Sequence, residues 1–306
     1  MINLQEWRRG GRVFEYRGWP VFTRTGGNPE GEALVLIHGF PTSSWDWNKI
    51  WPQLAERYAL YAIDMLGFGD SAKPRDFSYL IADQAELIET WLMEQGVGDY
   101  HILAHDYGDT VAQELLARDR ERLNVTRTGV PKLRIRSVCL LNGGIFPETH
   151  QPVLIQKLLL SPLGALVARL TSKRKFAANL RKICGPATPP TAADIDGFWA
   201  LIRQNDGLGV MHRLIRYMPQ RRQHRARWVG ALCNEWIPVK LIDGLLDPIS
   251  GAHMVARYRQ LVPDANVTEL ADIGHYPQTE APASVLSAYL DFRASIAETS
   301  VTVAET

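Results

Sequence analysis

Three side chains that lie far apart in the chain, Asp106, Asp247 and His275, could act on one substrate. Asp106 is the centre of Ala104-His105-Asp106-Tyr107-Gly108, within "LAHDYGDTVAQE" (Leu103–Glu114). A small–x–nucleophile–x–Gly pattern at a strand-to-helix turn strains the central residue and exposes its side chain at the helix N-terminus. That helix end favours a carboxylate, and capping the helix is the simpler role for the same residue. A nucleophile needs a base, and the base an orienting acid. "LIDGLLDPISG" supplies Asp247 and "LADIGHYPQTE" supplies His275, each in a loop after a strand, in the chain order nucleophile, acid, histidine. Asp243 competes with Asp247. It sits at the strand end, whereas Asp247 lies further out on a Pro-supported turn and is preferred. An aspartate attacking a carboxylic ester would form an anhydride. At a saturated electrophilic carbon it forms an ordinary ester, which a water activated by histidine can cleave.

The other seven histidines fit the base role less well. His38 and His105 flank the elbow in scaffold positions, and His101 lies in a strand. His150, His212 and His224 fall in a segment without strands, and His253 begins a helix. "HGFP" (His38–Pro41) follows the first buried strand, where Gly39 permits a tight turn. Its Phe40 amide, with the amide of Tyr107 after the nucleophile, would hold a developing oxyanion. His38, Pro41, Trp45 and Trp47 are candidate pocket-lining residues, core packing being the commoner fate of the two tryptophans.

The elements that must position these residues follow an α/β rhythm. Ala33–Phe40, Tyr58–Asp64, Asp99–Asp106 and Leu133–Gly144 read as strands. Trp47–Arg57, Tyr79–Gln95 and Asp109–Arg122 between them read as helices. Such alternation implies a mostly parallel sheet with helices on both faces, its site at the carboxyl ends of the strands. Residues 1–146 form the first part of this core. Residues 147–230 lack strand signals, are rich in Leu, Ala and Arg, and read as a helical cap inserted into the core. The rhythm resumes in 231–298 with strands at Ile237–Gly244 and Ala265–Asp272, a helix at Gly251–Leu261 and another at Ala281–Ala297. Residues 299–306 read as a disordered tail. Within the cap, Val153–Phe176 is apolar with a basic end. A lid packed on the core is the expected state, and contact with a membrane surface is the alternative.

The chain has 306 residues, 46% hydrophobic, with a formal net charge of +1. That suffices for one large core and argues against a nucleic-acid partner. Cys139, Cys184 and Cys233 are scattered, with neither metal nor disulfide spacing, which suits a reducing, cytoplasmic setting. No signal peptide or uninterrupted apolar span is evident. The sequence does not set the oligomeric state; a homodimer is compatible with it.

"HGFPTSSWDW", "LGFGDSAKPR", "HDYGDTVAQELL", "LNGGIFPETH", "RWVGAL", "GLLDP" and "HYPQTE" resemble the α/β-hydrolase superfamily in its aspartate-nucleophile branch, which includes epoxide hydrolases and haloalkane dehalogenases. Within it they are similar to the mesoderm-specific transcript group, from about Ala33 to Tyr289. The resemblance implies an α/β-hydrolase fold with Asp106 as nucleophile, Asp247 and His275 as the water-activating pair, and Phe40 and Tyr107 as oxyanion donors. It implies a small apolar substrate and no metal or organic cofactor. Epoxide opening needs a proton donor. Relatives use cap tyrosines, and Tyr217 in "HRLIRYMPQRR" falls where one is expected; the second, earlier tyrosine of many epoxide hydrolases has no counterpart between Pro147 and Tyr217. Haloalkane dehalogenases often have Asn after "HG" and Trp after the nucleophile, positions held here by Phe40 and Tyr107. Epoxide hydrolysis is therefore the expected reaction, with dehalogenation or a non-catalytic binding role as rivals. Asp109 departs from the small residue usual after Gly108, as it does in the closer group.

Overall fold

The structure, a computed structural model, describes residues 1–123, 133–233 and 236–304, with side chains described up to residue 297. Its centre is one sheet of eight strands: β1 (Gly11–Tyr16), β2 (Trp19–Gly27), β3 (Ala33–Ile37), β4 (Ala59–Ile63), β5 (Asp99–His105), β6 (Arg134–Leu141), β7 (Val239–Gly244) and β8 (Asn266–Leu270). Their order is β1-β2-β4-β3-β5-β6-β7-β8. The pairs from β4 to β8 are parallel; β1 and β2 join antiparallel at one edge. Leu34 to Ile37 and Ile102 to Ala104 are wholly buried, the near-continuous apolar runs that a sheet covered on both faces requires.

The antiparallel edge was not anticipated. Its signal is present: Phe14 and Tyr16 point inward while Val13 and Glu15 face out. The strands meet at Arg17-Gly18, both with positive φ (51° and 79°), as a two-residue hairpin turn demands.

In chain order the helices are α1 (Leu4–Arg9), α2 (Trp51–Ala55), α3 (Ile81–Glu94), α4 (Tyr107–Leu123), α5 (Leu154–Leu160), α6 (Gly164–Arg169), α7 (Lys173–Ile183), α8 (Ala192–Arg203), α9 (Met211–Leu214), α10 (Tyr217–Gln223), α11 (Arg225–Leu232), α12 (Ala252–Leu261), α13 (Pro277–Glu280) and α14 (Pro282–Ala304). The single helix expected over Trp47–Arg57 is instead a 3₁₀ turn (Ser44–Trp47) followed by α2. Pro52 lacks the amide that would continue a helix from Asn48. At the other end α14 runs to Ala304, through most of the span expected to be an irregular tail. Extending a helix already nucleated costs little per residue. Residues 305–306 lie outside the described residues.

Helices α5 to α11 lie between β6 and β7 in sequence and form a cap. It is tied to the core by buried polar contacts. The Glu114 carboxylate of α4 accepts from the Arg227 guanidinium and the Trp228 indole of α11, both at 2.7 Å. Gln220 of α10 accepts from the Ile81 amide of α3 at 3.0 Å. The stretch Val153–Phe176 breaks into α5, α6 and the start of α7. Leu159, Ala168 and Phe176 pack inward, while Leu154, Leu158, Leu163, Leu166 and Leu170 stay exposed, contrary to a lid wholly packed on the core. No helix among the described residues is long and apolar enough to cross a membrane.

Candidate active site

Strand β5 ends at His105, and α4 begins at Tyr107. Asp106 between them has φ 48°, left-handed for a residue with a side chain. Glycines let the segments close around it. A Cβ on Gly108 would stand 2.4 Å from the Ile37 carbonyl oxygen of β3, and one on Gly39 would stand 2.5 Å from His105 Nδ1.

The two Asp106 oxygens have different partners. Oδ2 accepts from the Phe40 amide at 3.0 Å. The Tyr217 hydroxyl, on α10 of the cap, faces Oδ1 at 3.5 Å. Burial and the neighbouring Asp106 carboxylate raise the Tyr217 phenol, so it keeps its proton. The Tyr107 amide is the first of α4 and has no acceptor within that helix. The Tyr107 ring is buried edge-on against Phe68 and Tyr217.

His275 Nδ1 meets Asp247 Oδ2 at 2.7 Å. This leaves Nε2 as the nitrogen free to take a proton. Asp247 also accepts from the Ile249 amide (2.8 Å), the Ser250 hydroxyl (2.8 Å) and the Asn142 amide (3.2 Å). Burial pushes this carboxyl up, but the His275 charge and hydrogen bond hold it below its usual range. Asp243 is not on the histidine. Burial and then the Asp247 charge raise it well above the ordinary carboxylate range, and Asn142 reaches it at 3.4 Å.

Burial alone would lower the His275 imidazole. The charge and hydrogen bond of Asp247, then the charge of Asp106, overcome this and raise it to about 9. An unfolded histidine titrates near 6.5. Between these values the folded protein binds the extra proton, so stability falls as pH rises. The contribution is complete below about pH 6.5 and lost above about 9. The melting-temperature advantage of the parent over His275→Gln should therefore shrink across that window. A constant difference would mean the two carboxylates do not hold the proton on His275.

Three other histidines near the site or in the sheet are bonded elsewhere. His38 Nδ1 donates to the Gly39 carbonyl (2.9 Å) and Nε2 accepts from the Met65 amide (3.1 Å), a complete scaffold set. His105 Nε2 donates to the His275 carbonyl at 2.7 Å, and burial followed by the His275 charge lowers the ring to about 4. His101 bonds Ser137 in the sheet at 2.8 Å.

A cavity of about 600 Å³ runs from Phe40, Pro41 and His275 out between α5, α6 and α7. His38, Trp45 and Trp47 do not line it. His38 is spent on the loop backbone, Trp45 stacks edge-on against Phe198, and Trp47 is wholly buried in the core. Three residues absent from the sequence reading shape the site. Arg221 of α10, 2% exposed, donates to the Asp106 carbonyl (3.2 Å) and the Thr110 hydroxyl (2.7 Å), with its guanidinium 4.5 Å from the Tyr217 ring centroid. In "YMPQRRQHR" it reads as part of a solvated basic face. Asn142 has φ 43° and joins Gly244 and Asp247 behind β6; an asparagine before two glycines at a strand end was the available signal. Glu280 accepts from the Tyr276, Gly274 and Gly185 amides, fastening the His275 loop to the cap. Asp109 is wholly buried, and burial with the Asp106 charge raises it well above the ordinary range. A Cβ on Gly143 would fall 2.1 Å from its Oδ2, so "NGG" makes room for this buried carboxyl.

A family model for the alpha/beta hydrolase fold matches residues 32–282. The chain belongs to the α/β-hydrolase family. It is 44% identical to the mesoderm-specific transcript protein of Mus musculus over 300 residues, covering 94% of this chain and 87% of that one. It is 38% identical to the putative hydrolase LipZ of Mycobacterium tuberculosis over 288 residues, 94% and 97% of the two chains. Among solved structures, a haloalkane dehalogenase DbeA loop variant from Bradyrhizobium elkanii aligns with TM-score 0.77 at 20% identity, covering 95% and 98% of the two chains. The epoxide hydrolase CorEH aligns with TM-score 0.74 at 18% identity, covering 94% and 99%. These two structural likenesses bear on the fold. Among the described residues, no group of three or more His, Cys, Asp or Glu could hold a metal ion.

Proposed function

We propose that this α/β hydrolase opens an apolar epoxide to a diol through a covalent ester on Asp106. The observation that carries the reading is the division between the two Asp106 oxygens: Oδ2 rests on the Phe40 amide and Oδ1 lies under the Tyr217 hydroxyl. Oδ1 attacks the saturated epoxide carbon, the carbon–oxygen bond of the ring breaks, and Tyr217 gives its proton to the departing oxygen. Oδ2 then becomes the ester carbonyl oxygen, on the Phe40 amide that it already accepts from, with the Tyr107 amide as the second donor for its negative charge in this scheme. Water deprotonated by His275 adds to the Asp106 carboxyl carbon. The acyl–oxygen bond breaks, the departing oxygen takes the proton of the added hydroxyl as the Asp106 carboxylate re-forms, the diol leaves, and the proton held by His275 returns through solvent to Tyr217.

The proton on His275 fits this order. Esterification removes the Asp106 charge, one of the causes that hold the imidazole at about 9. Its loss shifts the imidazole downward, toward the form that acts as a base, while the larger hold of Asp247 remains. No metal or organic cofactor enters the scheme.

The test is a panel of apolar epoxides assayed for diol and of haloalkanes assayed for halide. Diol formation without halide release is expected; halide release alone would give the site to dehalogenation, and neither would favour a binding role. Tyr217→Phe separates the leaving groups further. It should slow epoxide opening about 100-fold, the usual worth of a positioned acid. A halide needs no proton, so an unchanged epoxide rate would remove Tyr217 from the chemistry.

A further inference from the structure

We infer that the outer face of α5–α7 docks on an anionic lipid surface, so that the cavity takes its substrate directly from the membrane. Six leucines of this face are turned out: Leu154 (71% exposed), Leu158, Leu160, Leu163 (65%), Leu166 (54%) and Leu170 (62%). They fall on adjacent elements: a Cβ on Gly164 of α6 would lie 2.0 Å from the Leu159 carbonyl oxygen of α5. Apolar side chains gathered this way on a water-exposed face mark an interaction site.

Charge identifies the occupant. Between Gln151 and Ile183 the chain has no Asp or Glu, yet it carries Lys157, Arg169, Lys173–Lys175 and Arg181–Lys182, in a protein whose overall charge is only +1. All seven cations are exposed. Among the described residues only Lys173 is ion-paired, with Asp196 at 2.5 Å. Outward leucines flanked by uncompensated Lys and Arg are what an anionic bilayer interface attracts.

The cavity adds a third observation. Leu154, Leu158 and Leu170 belong both to the exposed face and to the cavity wall, where Lys175 and Lys182 also stand. The far end of the same cavity is His275. A docked face would place the mouth against the lipid, and an apolar molecule would pass inward without crossing water. The substrate class is then a membrane-dissolved compound with an apolar chain. Docking itself does not depend on which bond Asp106 breaks.

Co-flotation with vesicles tests this without turnover. The full chain is mixed with vesicles of phosphatidylcholine alone, or with about 30 mol % phosphatidylglycerol, at low salt. The anionic vesicles should bind at least about tenfold more protein. Leu163→Glu/Leu166→Glu and Arg174→Glu/Arg181→Glu, all outside the cavity wall, should each reduce that binding about tenfold at unchanged melting temperature. Equal binding by parent and variants, or no binding to either vesicle, would overturn the proposal. So would a lipid-free dimer that Leu163→Glu/Leu166→Glu dissociates, because a second copy would then cover the face.

Discussion

His275→Ala should react once and stop. In the proposed scheme the first step needs Asp106 and Tyr217, which this substitution leaves on their own partners: the Phe40 amide for Asp106, and the Asp106 carboxylate for Tyr217. The second step needs a base, and His275 is the imidazole that Asp247 orients at 2.7 Å. Losing a positioned base slows ester hydrolysis about 10³-fold. Intact-protein mass spectrometry should show one adduct per chain with the full mass of the epoxide, mapping to the peptide that holds Asp106. Steady turnover by His275→Ala, or an adduct elsewhere, would contradict the assignment. Asp247→Asn should reach the same trapped state less completely, since His275 would keep its place through the bond from its amide to the Ile183 carbonyl at 2.8 Å.

Asp106→Asn should lose the reaction at its first step. The substitution keeps the shape of the elbow and the Phe40 contact but removes the attacking charge. Rate losses on the order of 10⁴-fold or more follow removal of a nucleophile from a triad. No adduct should form in the double variant Asp106→Asn/His275→Ala. Diol formation by Asp106→Asn at the parent rate would mean that water attacks the epoxide directly.

The core of this site was legible because it is written in short, strained local patterns. An aspartate between Ala104 and Gly108 at a strand end, and a histidine after Gly274, need their glycines for backbone reasons. Strand ends in a parallel sheet then bring the loops together whatever their separation in sequence. What stayed hidden depends on tertiary packing. Arg221 looks like any surface arginine until α10 folds over α4 and leaves its side chain 2% exposed. Trp45 and Trp47 are close in sequence to "HGFP", but the 3₁₀ turn that carries them directs both into the core. The cap read correctly as helical, yet its division into short helices, and the outward turn of its leucines, depend on which side of each helix meets the core. The β1–β2 edge was missed because Arg17-Gly18 lacks the Asn or Asp that usually announces such a turn.

One measurement addresses the central claim directly: a single turnover of the parent enzyme in ¹⁸O-enriched water, with enzyme in excess over epoxide. Attack by Asp106 followed by hydrolysis at its carboxyl carbon places one heavy oxygen in the Asp106 side chain and leaves the first diol unlabelled. Labelled diol with an unlabelled Asp106 would show that no ester is formed on this residue.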